Sequence, residues 1–227
     1  MTSLALAAAA FVLVHVGVSG TRLRDRLVAA LGLRAYMVSF SVASVAVLVW
    51  LVNAYRVADY APTWGQVEWW KPVMIALMLP AFALVVIGLL TPTPTAVGAE
   101  ALVDRPPRGM VRITRHPFLM GVALWAALHL VGNGDWASLL FFGALFVVAA
   151  AGAPSIDAKR RRALGPARWD AFARHTSILP FGAVLSGRAT LSLPEIGAWR
   201  PAVAVLLYVL MLGGHAHLFG VSPFPGA

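Results

Sequence analysis

Val111 to Asp135 reads VRITRHPFLMGVALWAALHLVGNGD, and the organisation of the whole chain follows from it. It opens on the cationic cluster Arg112, Arg115 and His116, then runs from Pro117 to Val131 with no formal charge and one histidine, His129. It closes on Gly132-Asn133-Gly134-Asp135. Pro117 suits the first position of a helix, where its missing N–H would be unpaired anyway. His116, preceding a proline, is pushed out of the helical region and ends the loop. The stretch therefore predicts the mouth and shaft of a membrane helix. Arg112 and Arg115 lie beside its positive N-terminus, where they either attract an anion or anchor the helix end at a headgroup surface.

Composition points the same way. Apolar residues make up 60% of the 227 positions and charged residues 12%, with mean hydropathy +0.80, which excludes an ordinary soluble domain. Six apolar segments stand out: Leu4–Ser19, Tyr36–Tyr55, Pro72–Leu90, Pro117–Val131, Trp136–Ala153 and Pro201–Phe219. Each is near or a little under the ~20 residues that cross a bilayer core. The expected fold is all-α: a polytopic membrane helix bundle of about six spans, forming a single domain over 1–227.

The net charge of +9 is spread in clusters between apolar runs rather than on one basic face, which argues for membrane topology and against a nucleic-acid partner. Sixteen of the eighteen Lys and Arg fall in the loops after the first, third and fifth segments. The positive-inside rule then puts both termini on the non-cytoplasmic side. Trp64, Trp69, Trp70 and Trp136 fit an aromatic belt on the outer face. Met1–Ser3 carries no basic residue, so the first segment reads as a retained helix rather than a cleaved signal. In the longest loop, Asp157–His175 alternates cations with Leu164, Trp169 and Phe172. It is expected to lie on the inner leaflet as an amphipathic helix broken at Gly165-Pro166, and Ile178–Leu185 is expected to be a surface loop that dips into the interface.

Ionisable residues inside a bilayer mark candidate functional sites. Here they are His15, His129, His215 and His217. Segment four sets Phe118, Val122, Trp125 and His129 on one stripe. The chain has no cysteine, so thiolate nucleophiles and Cys-ligated metals are excluded. Two inward imidazoles with flat aromatic neighbours suit a bis-His haem, or else each ring hydrogen-bonds to a neighbouring helix. At ~1.5 Å per residue, His15, His129 and His215 lie roughly 10, 20 and 22 Å from the inner boundary, so depth alone pairs His129 with His215. Asp157 and Asp170 read as solvated partners of neighbouring arginines.

Several stretches resemble the NnrU family of bacterial inner-membrane proteins, which includes the 15-cis-zeta-carotene isomerases. They are His15 with Arg22-Leu23-Arg24-Asp25-Arg26-Leu27-Val28, then Gly109 to Pro117 with Gly121, then Trp125 to Leu130, and finally His217 to Pro223. The resemblance implies a multi-pass protein of the cytoplasmic membrane, linked in denitrifying members to nitrite and nitric oxide reduction. In the isomerase branch it implies haem b held by two histidines, which map to His15 and His129. Ala126 stands where the isomerase has a cysteine. A second similarity, to isoprenylcysteine and phospholipid methyltransferases, rests on Arg115-His116-Pro117, Gly121, Gly165, Trp169, Phe172 and Pro180. It would give Arg112, Arg115 and His116 a cofactor-binding role, but Asp157 stands alone where those enzymes carry an acidic pair. The expected partners are membrane lipid and a hydrophobic small molecule, and oligomeric state is not legible. A haem-dependent isomerase of a polyene and a non-catalytic assembly factor remain as alternative functions.

Overall fold

The computed structural model describes residues 1–226. Among them every regular element is helical: α1 Thr2–Val12, α2 Arg22–Leu31, α3 Leu33–Arg56, α4 Lys71–Leu89, α5 Met110–Ile113, α6 Pro117–Asn133, α7 Trp136–Leu164, α8 Pro166–Arg174, α9 Gly182–Leu185 and α10 Trp199–Phe219. Four helices are long and apolar enough to cross a membrane: α3, α4 with the turn before it, α7 and α10. A fifth candidate is the first segment together with α2, bent by 78°. The apolar α6 has 17 residues. Exposed rows such as Val38, Val42, Val45 and Val49 on α3, or Val205, Leu206, Val209 and Leu210 on α10, are apolar surface of the kind that lipid covers.

The chain packs as two units. The first comprises Met1–Val67 and Ala126–Ser155. Leu4, Ala7, Ala8 and Phe11, spaced along one face of α1, meet Leu51 and Ala54 of α3 and Ala137 and Ala144 of α7. The small side chains let the helices approach closely. Several polar groups of this unit pair locally, although the Tyr36 and Ser44 hydroxyls are buried without a hydrogen-bond partner. The Tyr55 and Ser138 hydroxyls are 2.9 Å apart. Asp135 caps α7 by accepting from Ser138 N–H at 2.9 Å. Backbone N–H groups of Thr63 and Gly65 both donate to the Gly134 carbonyl, Val67 donates to Gly132, and Trp136 donates to Ala61. This clasp fixes the loop after α3 against the α6–α7 turn, with Trp64 Nε1 donating to the Val131 carbonyl at 3.0 Å.

The first segment is not the uniform helix that its sequence suggests. At Leu13 it widens into a π-helical turn, Leu13–Val18, closed by Ser19 N–H donating to Val14. At Gly20 a Cβ would stand 2.4 Å from the Val16 carbonyl oxygen, so only glycine fits. Thr21 then caps α2 by accepting from Leu23 N–H.

The second unit holds Glu68–Trp125 and the chain from Ile156 onward. Here α10 packs along α4, and the Tyr208 hydroxyl donates to the Ile75 carbonyl at 2.7 Å. Gly88 and Gly121 bring α4 and the start of α6 together: a Cβ on Gly121 would stand 2.6 Å from Val85 Cγ2 and 2.8 Å from the Ala81 carbonyl oxygen. Because one of those neighbours is backbone, Gly121→Ala is expected to cost about 1–3 kcal/mol, read as a lowered thermal midpoint in detergent. An unchanged midpoint would show that the helices can part without cost.

The basic loops also differ from expectation. α7 continues unbroken through Asp157 to Leu164, so this stretch is the end of a long helix rather than a separate surface helix. The apolar run and the basic run share one helical register with no stop between them. The break does come at Gly165, φ 88°, and α8 follows. Trp169 and Phe172 of α8 pack with Val103 and Val111 in a small core of their own. Ile178–Leu185 is only partly a surface loop. Leu179 and Leu185 are exposed, but Ala183 is fully buried, and Phe181, at φ 64°, donates its N–H to Ile113 beside α5.

Candidate functional site

His15 stands in the π-helical turn. Such turns insert an extra residue and re-aim a side chain, and they recur at functional positions. The half-buried ring lies between aromatic neighbours, 4.3 Å from Phe11 and 5.6 Å from Phe40, centroid to centroid. Its Nδ1 is 2.8 Å from the Phe11 carbonyl oxygen. A carbonyl only accepts, so Nδ1 carries a proton, and in the neutral ring the lone pair is then on Nε2. His129, on α6 in the same unit, lies flat against Phe142 at 4.6 Å and 17°. One turn before it, Ala126 is fully buried.

The His15 hydrogen bond is of the kind a ligating imidazole makes. A ligating imidazole commonly donates its other N–H to a carbonyl, which fixes tautomer and ring angle. Among the described residues no three His, Asp or Glu side chains gather as a metal site. His215 belongs to the other unit, where its Nδ1 donates to the Val221 carbonyl at 2.7 Å.

The cationic mouth of α6 is built differently from a bare anion trap. Arg115 Nε donates to both Asp157 oxygens at 3.1 and 3.0 Å, and its Nη2 closes on Oδ2. His116, 3% exposed, donates Nε2–H to Asp157 Oδ1 at 2.7 Å. Asp157 is thus neither solvated nor paired with the arginines next to it on α7, because its face of the helix meets the chain ahead of Pro117. Asp170, by contrast, is exposed and does pair with nearby Arg161. Thr95 Oγ1 donates to the Arg115 carbonyl, and the Thr114 hydroxyl donates to Ile178. Arg112 bonds Thr190 and Glu195, with Nη2 3.0 Å from Oε1. Glu195 also accepts the Gly109 N–H at 2.8 Å. That N–H, with Arg112 beside it, holds the Glu195 carboxyl below the usual carboxylate range despite the opposing cost of desolvation. Trp125 is half-buried on α6, and its position says nothing more specific.

The profile of the NnrU protein family matches residues 3–223. The chain belongs to the NnrU family. No curated protein and no solved structure matches it significantly. The NnrU match runs through both packed units and takes in His15, the Arg115–Asp157–His116 cluster and His129.

Proposed function

We propose that this NnrU protein is a six-span protein of the bacterial cytoplasmic membrane, both termini outside, which holds one b-type haem between His15 and His129 and serves nitrite and nitric oxide reduction. The topology is supported by the clustering of sixteen of eighteen cations in alternate loops. In this reading α6 crosses as a short span.

The observation that carries the haem reading is the tautomer of His15: its Nδ1–H is committed to Phe11, which leaves Nε2 as a ligand nitrogen inside a membrane helix. When bound, the haem supplies a one-electron iron centre. The chain supplies the two imidazoles and the aromatic rings of Phe11, Phe40 and Phe142, which hold those imidazoles at fixed angles and keep water away. The absence of cysteine makes nitrogen ligation the natural choice for this chain.

Purified in a mild detergent from haem-replete cells, the protein is expected to show a Soret band and one b haem per chain by the pyridine haemochrome assay. No Soret band, even after haem is added, would overturn the reading. A denitrifying host lacking the gene is expected to consume nitrite or nitric oxide more slowly, and normal consumption would remove the respiratory half of the proposal.

A further inference from the structure

Outside the histidine pair, the second unit holds a cavity of about 390 Å³, a volume within the range of small-molecule sites. One wall is the segment Arg105-Pro106-Pro107-Arg108-Gly109, and Arg200 lines the same cavity. Among the described residues the Arg105 and Arg108 side chains make no hydrogen bond or salt bridge; their backbones bond Leu102 and Val111, and the Arg108 charge acts on Glu195 only through space. Among the described residues Arg200 donates to the Leu90 and Ile196 carbonyls and lies over the Trp199 ring, and no carboxylate there pairs with it. The one acid in the lining, Glu195, is already held by Arg112 and the Gly109 N–H. The two prolines have no N–H to offer and keep the wall stiff. The floor is apolar, formed by Met110, Val111, Phe172 and Ile196, all buried.

We infer that this cavity binds a phosphate-headed amphiphile, the phosphate at Arg105, Arg108 and Arg200 and the first part of an apolar chain over the floor. Three guanidiniums around one space match an anion with several oxygens: Arg105 and Arg108 offer planar forks of donors, and Arg200, with Nε and Nη1 on carbonyls, offers its remaining N–H groups and its charge. A wholly polar anion would leave the apolar floor unused, and a neutral lipid would leave the arginines unpaired. The ligand is either a phospholipid drawn from the bilayer or a soluble phosphorylated amphiphile.

The test uses full-length protein in maltoside detergent, titrated calorimetrically with short-chain phosphatidic acid, the matching phosphatidylcholine and inorganic phosphate. Phosphatidic acid is expected to bind about tenfold or more tightly than either of the others, a gap of ~1.4 kcal/mol. Arg105→Gln/Arg108→Gln should lose that preference, while Arg108→Lys keeps part of it. Both arginines are exposed, so these variants should melt as the wild type does. Arg22→Gln/Arg26→Gln, in another basic loop, removes the same charge and should bind normally.

A second arm separates the two sources. In phosphatidylcholine nanodiscs doped with phosphatidic acid, enrichment of phosphatidic acid around the wild type over the double variant identifies the bilayer as donor. Binding of the short-chain form without such enrichment identifies a soluble ligand. Inorganic phosphate binding as tightly as phosphatidic acid, or equal loss in the two double variants, would overturn the proposal.

Discussion

His129→Ala is expected to abolish the six-coordinate haem b spectrum of the purified protein, and His15→Ala to do the same. With either imidazole gone, one face of the iron has no protein ligand, and this chain has no thiolate to replace it. The two variants should behave alike although the rings are set by different devices, a π-helical turn for His15 and a stacked Phe142 for His129. Added free imidazole should restore part of the band in each, because the substitution leaves room where the ring stood. His215→Ala serves as the control and should keep the full spectrum: its Nδ1–H makes the same kind of carbonyl bond as that of His15, but the residue belongs to the other unit and lies outside the proposed pair. If His129→Ala kept an unaltered spectrum, or His215→Ala lost it, the ligand pair would be wrong.

Asp157→Ala is expected to lower stability by about 3–5 kcal/mol, the usual cost of removing one partner from a buried ion pair. The Arg115 side chain is 11% exposed and that of His116 1%, so water cannot replace the lost carboxylate. Two donors would be stranded at once, and the turn that launches α6 would lose its anchor. Asp157→Asn should fall between the variant and the wild type, because an amide oxygen still accepts but carries no charge. Thermal unfolding in detergent measures both. If Asp157→Ala melted with the wild type, the cluster would contribute nothing to holding the fold.

What the sequence made legible was local. The apolar run at Tyr36–Tyr55 became Leu33–Arg56, the one at Pro72–Leu90 became Lys71–Leu89, and the one at Pro201–Phe219 became Trp199–Phe219. Pro117 does begin its helix, and Gly165 does end one. These follow from steric rules that act within a few residues. The π-helical turn at His15 left no comparable mark, since Leu-Val-His-Val-Gly-Val is equally compatible with an ordinary helix. Nor could spacing join Arg115 to Asp157, which are 42 residues apart, or Arg112 to Glu195, 83 residues apart. Each of those arginines had nearer acids to choose from. Only the packing of the helices that carry them selects the partner, and that packing depends on positions such as Gly121, where the missing side chain is the signal.

The clasp between residues 61–67 and 132–136 carries an implication for how the protein is made. Its template segment lies directly after α3, and its guest is the turn that joins two later helices. A ribosome delivers the template more than sixty residues before the guest. The later turn therefore meets, once made, an earlier loop whose peptide groups are already there to receive it. Biogenesis is in this way ordered by the chain itself, with an early loop acting as the gauge for a late one.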